Sequence, residues 1–440
     1  MKTLVLLTSQ FPYGTSESFI ASEFPFLSRS FDKIIVIAQN VTSEKSRDTS
    51  SNATIYRYDP ATSFSGFLFV PFLFLSNLQI INKMWRGEIA FRKNLTARNK
   101  RSLLKKIIKA IQLRIYLEKV LKAEGINESI VFYSYWLKTG AHAISMLKYK
   151  NSIKISRAHG SDIYEEKTES GYLPLLKFSA QNLDAIFFAS VNGKRYFGEK
   201  LGFESPHFFT SYLGVANSSR EAALEGTDVT AKGRDVACSV PTKNPNRYII
   251  VSCSNLIPLK RIDLIIRALS LVNTSGREIE WKHFGDGILR HELEELAESL
   301  LSKKNSFMFM GHFPNEELLK FYNTNNVDLF INASSTEGIP VSIMEAQSFG
   351  IPVIATDIGG VKEIVTAGTG SLLPVDFSPS DLSKMIEYYM NLNENETEII
   401  RKNAFNNWNS NFNASSNYEA FIIKLNSIFT AGNTDSTSLI

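Results

Sequence analysis

The sequence predicts an α/β protein built from two doubly wound, Rossmann-like domains with parallel sheets. Three observations predict it. The chain has 440 residues, more than one ordinary hydrophobic core accommodates. Short continuous apolar runs alternate with helical stretches in two separate sets, the pattern of strands covered on both faces by helices. Between the sets, residues 216–246 lose the pattern and are dominated by small polar residues with Gly226, Gly233, Pro241 and Pro245, as an interdomain linker requires.

In the first set, residues 4–8, 33–38, 130–134, 153–156 and 185–189 read as buried strands. The first of these follows a single basic residue, Lys2. A signal peptide would carry a longer apolar core and a small-residue cleavage site, so this run is strand one. In the second set, residues 247–253, 306–310, 328–332 and 353–356 read as strands, with helices over 261–271 and 288–302. The expected organisation is a first domain over 1–215, a linker over 216–246 and a second domain over 247–405. A C-terminal helix within 406–440 should pack back on the first domain and end in a short, polar, frayed tail. No internal repeat is present.

Composition bounds the class. Hydrophobic residues make up 44% and charged residues 21%, which describes a globular chain. The two cysteines, Cys238 and Cys253, have no metal-like spacing and allow at most one bridge. That usage fits a reducing compartment and a cytoplasmic protein. The net charge of +4 hides an asymmetry. Residues 1–215 hold 29 Lys+Arg against 17 Asp+Glu, and the remainder holds 19 against 27. The basic half calls for an anionic partner or surface.

Much of that charge follows one unusual stretch. Residues 64–81 are nearly all apolar, and residues 82–122 carry 13 Lys+Arg against Glu88 and Glu118. The apolar run is barely long enough to span a bilayer and is interrupted by Pro71 and Asn77, which disfavours a membrane span. Two readings remain: a buried helix followed by a solvated basic helix, or an apolar and basic face lying on the anionic inner surface of a membrane. No aromatic stacking motif or recognised module accompanies the basic stretch, so nucleic acid is not an expected partner.

The most informative segment is residues 332–365, NASSTEGIPVSIMEAQSFGIPVIATDIGGVKEIV. A strand ends near Asn332, a loop with Gly338 and Pro340 follows, and a helix runs from about Val341 to Phe349. Gly350 ends that helix and Pro352 precedes the next strand. This layout puts a helix N-terminus at the C-terminal end of a strand, where open α/β sheets bind ligands. Its free N–H groups and dipole favour an anion such as a diphosphate. Glu337 lies in the loop before the helix and Glu345 inside it. A carboxylate accepts two hydrogen bonds well, so each suits a pair of vicinal hydroxyls, one on a sugar and one on a ribose.

Taken together, Ser-x-x-Glu-Gly-x-Pro, Glu-Ala, Gly-x-Pro-Val-Ile-Ala and Gly-Gly-x-x-Glu resemble the signature of the retaining GT-B glycosyltransferases of family 4. The mark of that family is two glutamates with seven residues between them. The resemblance implies two Rossmann-like domains facing a central cleft. It implies transfer of a hexose or amino sugar from a nucleotide diphosphate sugar, a UDP-sugar foremost, with retention of configuration. The acceptor would be a saccharide or a polyprenyl-linked molecule, in polysaccharide or glycoconjugate biosynthesis. Glu337 would hold the sugar, and Gly338, Ile339, Pro340, Val341 and Glu345 would line the donor site.

Other segments extend the resemblance. Residues 251–261, VSCSNLIPLKR, resemble the family's strand and phosphate loop, which makes Lys260 the diphosphate lysine. Relatives usually have Gly-Arg where this chain has Ser254-Asn255, so Asn255 departs from the pattern and Arg261 is the candidate second cation. Phe284-Gly285-Asp286-Gly287 resembles the family's turn before an amphipathic helix. Gly311-His312-Phe313 resembles the segment whose backbone meets the nucleotide base. In the first half, the loop holding Gly14 resembles the family's Gly-containing loop. In Arg157-Ala158-His159-Gly160-Ser161-Asp162, His159 would reach the transferred sugar and Asp162 would support its loop. Lys260, His159 and Glu337 are thus the expected catalytic residues.

No two Asp lie two positions apart, so the Asp-x-Asp metal pair of other transferases is missing and no metal or resident cofactor is expected. A Rossmann oxidoreductase should carry Gly-x-Gly-x-x-Gly after a strand, and neither half does. A sugar-nucleotide epimerase on the same fold and a non-catalytic partner subunit are the remaining alternatives. The Ser-x-x-Glu-Gly-x-Pro segment disfavours the first, and the presence of Glu337, Glu345, Lys260 and His159 disfavours the second.

Overall fold

The structure, a computed structural model, describes residues 1–14, 17–44, 46–59, 75–217, 244, 246–301 and 305–434. The chain divides into two compact units. One holds Met1–Tyr212 with Ser416–Ile440, and the other holds Leu213–Ser415.

The strands of the first unit are β1 (Thr3–Thr8), β2 (Lys33–Ala38), β3 (Ala53–Arg57), β4 (Glu128–Ser134), β5 (Lys150–Ala158), β6 (Ala185–Phe188) and β7 (Phe208–Thr210). Among the described residues they form one sheet in the order β3-β2-β1-β4-β5-β6-β7, with every pairing parallel. Alternation along each strand sends side chains to opposite faces. Val5, Leu7, Ile35 and Ile37 join one core with Leu113 and Leu117 of helix Ala97–Ala123. Leu4, Leu6, Ile34 and Val36 join the other with Ile20, Phe24 and Leu27 of helix Ser18–Ser30. Both faces are therefore covered, which is why these strands read as unbroken apolar runs.

The strands of the second unit are β8 (Arg247–Cys253), β9 (Glu278–Phe284), β10 (Ser306–Phe309), β11 (Leu329–Asn332), β12 (Val353–Thr356) and β13 (Gly370–Leu373). Their order is β10-β9-β8-β11-β12-β13, again all parallel. In both sheets the strand order thus reverses between the first and fourth strands, the doubly wound arrangement of a Rossmann-like fold. Helices Ile262–Leu271, Arg290–Leu301 and Pro379–Met390 supply the core on one face.

Four strands were not legible as apolar runs. β3 is a partly exposed edge and β7 has three residues. β13 has four residues and opens on a glycine. β9, EIEWKHF, is charged in alternation; its Glu280 pairs with Lys282 at 2.8 Å and with Arg247.

The chain passes between the units at two points, and both differ in detail from the expected boundaries. Residues 213–217 pack with the second unit: Val215 accepts from Trp408 Nε1 at 3.1 Å, and Asn217 donates to the Ser348 carbonyl at 2.9 Å. Residues 406–411 finish helix Glu394–Asn411, whose Asn407 donates to Gln347. The last helix, Ala414–Thr434, places Phe421, Ile422 and Leu425 in the core of the first unit. Residues 218–243, most of the expected linker, lie outside the described residues.

The basic stretch forms helices Leu78–Arg92 and Ala97–Ala123. Of the apolar run over 64–81, residues 64–74 lie outside the described residues. Both helices bury an apolar face, including Ile81, Met84, Leu103, Ile107 and Ile111. Arg92 is taken up by Glu88 and Glu165, and Arg114 by Asn77. Lys83, Lys100, Arg101 and Lys105 are exposed. Among the described residues, no helix is long and apolar enough to cross a membrane.

Candidate functional site

In the second unit, the site forms at the reversal point between β8 and β11. The loop after β8 contains Lys260, and the loop after β11 contains Glu337. The Lys260 Nζ lies 2.6 Å from Glu337 Oε1. Asn332, the last residue of β11, holds the same oxygen from its amide at 3.3 Å. The two loops are also stitched through the backbone, since Ser335 N–H donates to the Leu259 carbonyl at 2.9 Å.

Arg261 does something else. It takes a left-handed conformation, φ 49°, between the short turn Pro258–Lys260 and helix Ile262–Leu271. Its guanidinium donates to the Ala333, Ser334 and Val375 carbonyls and to Thr356 Oγ1, and it stacks on Phe377. All three nitrogens are engaged in tying loops together. Arg261, expected as the candidate second diphosphate cation, thus ties the loops after β11 and β13 to the end of β12. Asn255 is exposed, and its carbonyl accepts from Ile257 N–H at 3.0 Å. Lys260 is left as the side-chain cation that this segment presents.

Helix Val341–Ser348 begins just after Pro340, which lacks an N–H to orphan. The carbonyl of Gly338 accepts from Gly360 N–H at 2.6 Å, which locks the loop before the helix to the loop after β12. Gly359 has φ 59°, and a Cβ there would strike the Glu337 carbonyl. Ile339 and Val341 are partly exposed at the mouth of this loop. Glu345 is buried, and Asn315 Nδ2 donates to its Oε1 at 2.6 Å. Burial pushes its carboxyl up to about 7, against the opposing effect of the Asn315 amide. Cys253, at the end of β8, has its thiol pushed up to about 12 by burial and then by Glu345.

The loops after β9 and β10 close the same end of the sheet. Gly285 has φ 139°, and a Cβ would strike the Ser254 carbonyl, so only glycine fits. Gly285 N–H donates to the Gly311 carbonyl at 2.9 Å. His283 fixes this corner, with Ser252 Oγ at 2.8 Å from Nδ1 and the Ser254 carbonyl at 3.0 Å from Nε2. Phe313 packs edge-on against Phe284 at 5.0 Å. His312 is exposed.

In the first unit, the corresponding reversal point lies between β1 and β4. Gly14 sits in the loop after β1 with φ 65°, close to Gln10 Oε1. Glu17 organises that loop: its carboxylate accepts from Ser9, Gln10 and Phe11 N–H at 3.0, 2.6 and 2.6 Å, and from Trp136 Nε1. His159 follows β5 directly and is buried. Its backbone N–H donates to Asp162 Oδ2 at 3.1 Å, which also accepts from Leu137 N–H at 3.1 Å. Its ring bonds to the Tyr135 carbonyl, and its Nε2 has no hydrogen-bond partner among the described residues. Burial holds the imidazole down at about 4, so it is neutral near pH 7.

Several of these residues had no signal in the sequence. Asn315 was an anonymous polar residue. Glu17, three residues after Gly14, carried no expected role. Lys106 and Lys138 line a pocket in the first unit but sit in ordinary basic sequence.

The geometry can now be set beside known proteins. Residues 237–406 match the family model described as glycosyl transferases group 1. Over 163 residues, 36% of this chain, the protein is 26% identical to a UDP-N-acetylglucosamine–peptide N-acetylglucosaminyltransferase GtfA subunit of Streptococcus agalactiae. That match spans 31% of the relative, so the likeness covers about a third of its length. Over 293 residues, 65% of this chain and 73% of the relative, it is 24% identical to an uncharacterized glycosyltransferase of Methanocaldococcus jannaschii. Among solved structures, Anabaena HepE in complex with UDP and glucose matches with a TM-score of 0.60 at 15% identity, covering 97% of this chain and all of that one. The fold is thus that of GT-B proteins, with two parallel-sheet Rossmann-like units. Residues 237–406 are thus similar to group 1 glycosyl transferases, and the relatives matched are glycosyltransferases.

Proposed function

We propose that this protein is a glycosyltransferase that moves a hexose or amino sugar from a nucleoside diphosphate donor to an acceptor, with retention of configuration. The carrying observation is the Lys260–Glu337 pair beside the start of helix Val341–Ser348, with Glu345 buried further along the same helix. The supporting comparison is the group 1 match over these residues, and UDP bound in a neighbour of the same fold makes a UDP-sugar the first donor to test.

In this reading, the donor diphosphate lies against the helix N-terminus and Lys260. Glu337 exchanges its bond to Lys260 for sugar hydroxyls, and Glu345 as a carboxylate accepts the ribose hydroxyls. As the bond between the anomeric carbon and the phosphate oxygen breaks, charge grows on the departing diphosphate. Lys260 and the helix N–H groups stabilise that charge without reorganising. The role expected for His159, to reach the transferred sugar, rests on the family resemblance. The acceptor hydroxyl gives its proton to the leaving phosphate and forms the new bond on the face that the phosphate leaves. A metal is not part of this scheme, and no resident cofactor is assigned.

The acceptor is proposed to be a saccharide or a polyprenyl-linked molecule, with the protein working from the cytoplasmic side and its exposed basic helix resting on an anionic membrane surface. A screen of nucleotide sugars for hydrolysis and transfer, with and without chelator, tests the reading. Release of one nucleoside diphosphate from one donor, unaffected by chelator, is expected. No turnover of any donor, with no nucleotide bound, would sink it. Epimerised free sugar as the product would favour the epimerase alternative.

A further inference from the structure

Three fully buried side chains form one hydrogen-bonded line in the second unit. Trp281 and His283 lie on β9, and Ser252 is the register partner of His283 on β8. Trp281 Nε1 donates to Ser252 Oγ at 3.0 Å. Ser252 Oγ lies 2.8 Å from His283 Nδ1, and His283 Nε2 lies 3.0 Å from the Ser254 carbonyl oxygen. The two ends of the line fix its direction, because an indole only donates and a carbonyl only accepts. Ser252 therefore accepts from Trp281 and donates its own O–H to Nδ1. Nε2 keeps the ring proton and donates to Ser254; a proton on Nδ1 would leave two acceptors facing each other there. Burial holds the imidazole down at about 4, so the ring is neutral near pH 7.

A buried polar line is costly unless each of its groups is satisfied. This one is satisfied end to end, and it ends where the backbone turns most tightly. A Cβ on Gly285 would lie 1.9 Å from the Ser254 carbonyl oxygen, so the chain turns at Gly285 directly against that atom. The Gly285 N–H is used elsewhere, donating to the Gly311 carbonyl at 2.9 Å. The imidazole takes up the Ser254 carbonyl instead. The backbone of His283 reaches a third loop, since its carbonyl accepts from Met310 N–H at 2.8 Å. One residue thus joins the loops after β8, β9 and β10.

The join extends toward the proposed donor site. Leu256 N–H donates to the Asp286 carbonyl at 2.9 Å, and the Leu256 carbonyl accepts from Leu289 N–H at 3.1 Å. The loop after β8 is therefore laid along the loop after β9 on its way to Lys260. Met310 leads directly into Gly311-His312-Phe313. In the transferase reading, Lys260 meets the diphosphate and residues 311–313 meet the base. A nucleotide that binds at both ends needs these segments at one separation, and affinity is lost when binding itself must order them.

We propose that His283 is a positioning residue for the donor nucleotide: its ring, donating from Nε2 to Ser254, sets the separation between the Lys260 loop and residues 311–313. The proposal rests on the transferase reading for the identity of the ligand. His283 acts through the Ser254 carbonyl and the Met310 N–H, not by contact with the nucleotide.

The test uses the full chain. His283→Gln keeps an N–H donor within reach of Ser254, and His283→Leu fills the space without one. Thermal melting checks that both are folded; should the Leu variant not fold, His283→Asn, whose amide is one bond shorter, takes its place. Nitrogen NMR of the histidine-labelled wild type should show the ring proton on Nε2 at neutral pH. UDP, GDP and ADP are then titrated by calorimetry, and pyrophosphate, which reaches only the Lys260 end, is used as a competitor. The Leu variant should bind the nucleotide preferred by the wild type roughly tenfold or more weakly, while its affinity for pyrophosphate changes by less than about threefold. The Gln variant should recover most of the nucleotide affinity. A folded Leu variant that binds the nucleotide as the wild type does would overturn the proposal, as would a ring proton on Nδ1. Equal losses for nucleotide and pyrophosphate, not restored by Gln, would mark a loosened fold and overturn it too. A wild type that binds none of the three nucleotides would overturn the transferase reading and the proposal together.

Discussion

Lys260 Nζ and Glu337 Oε1 are 2.6 Å apart, so the cation and the carboxylate proposed to hold opposite ends of one donor are bonded to each other. Each group keeps the other oriented and partly neutralised. In the proposed reading, a donor replaces that bond with one to phosphate and one to sugar hydroxyls.

Two variants separate these roles. Lys260→Ala should lower turnover by about a hundredfold, comparable to the loss of one oxyanion donor, with a smaller effect on donor affinity. Glu337→Gln should bind a nucleoside diphosphate at least as well as the wild type, because Lys260 is released, while turnover of the nucleotide sugar collapses. Calorimetry and initial rates read the two effects. Full activity in Lys260→Ala would move the phosphate site elsewhere.

Glu345 gives a pH prediction. Burial raises its carboxyl to about 7, so between about pH 4.5 and 7 the folded protein holds a proton that the unfolded chain has lost. Stability of the ligand-free protein should therefore fall as pH rises across that window. A ribose diol bonds best to the carboxylate, so nucleotide affinity should rise through the same range. Glu345→Gln should flatten both trends relative to the wild type in parallel melts and titrations. Identical pH profiles in the two proteins would remove Glu345 from the donor site.

His159 carries the opposite sign. Burial lowers its imidazole to about 4, so between about pH 4 and 6.5 the unfolded chain holds a proton that the folded protein lacks. This stability is present above pH 6.5 and is lost as pH falls towards 4, by an amount on the order of 3 kcal/mol. NMR titration of the ring should show a neutral imidazole at pH 5.5. A ring that titrates near 6.5 in the folded protein would contradict the buried geometry.

Beneath His159, Arg157 and Glu23 form a fully buried pair at 3.1 Å, with Tyr133 donating to Glu23 at 2.9 Å. Arg157→Leu leaves Glu23 buried without its cation and should cost about 3–5 kcal/mol by denaturant unfolding. Replacing both partners with apolar residues should cost clearly less. Equal losses in the single and double variants would show that the pair itself is not the source of the effect.

The exposed basic face offers a separate test. Lys100→Glu with Arg101→Glu and Lys105→Glu should abolish binding to vesicles rich in anionic lipid and leave donor hydrolysis in solution unchanged, since all three side chains are exposed. Wild-type binding should weaken as salt rises. Equal binding to neutral vesicles would argue against an electrostatic contact.

The parts of the fold that were legible were those where local chemistry and burial agree. β1, β2, β8 and β12 are covered on both faces, and they appear in the sequence as uninterrupted apolar runs. Gly350, with φ 67°, ends helix Val341–Ser348 where a residue without Cβ was expected to. β9 was hidden because charged residues interrupt its apolar run, and the partner that Glu280 finds on β8, Arg247, lies in another segment. The contacts of Arg261 were hidden for a related reason. Its acceptors are carbonyls of two other segments and the Thr356 hydroxyl, reached only after the chain has folded.

By itself, the sequence determined the element alternation, the two-unit division and the Glu337–Glu345 segment, because strand burial, helix punctuation and motif spacing are local properties of a chain. Tertiary structure alone decided which charges are used up and which are left over. Arg261 is engaged by other segments, Glu17 by its own loop and Trp136, Lys260 is held by Glu337, and Lys106 and Lys109 line a pocket with no carboxylate among the described residues paired with them. Partnering is a matter of distance in three dimensions, set by packing between segments tens of residues or more apart, and a one-dimensional pattern holds no record of it.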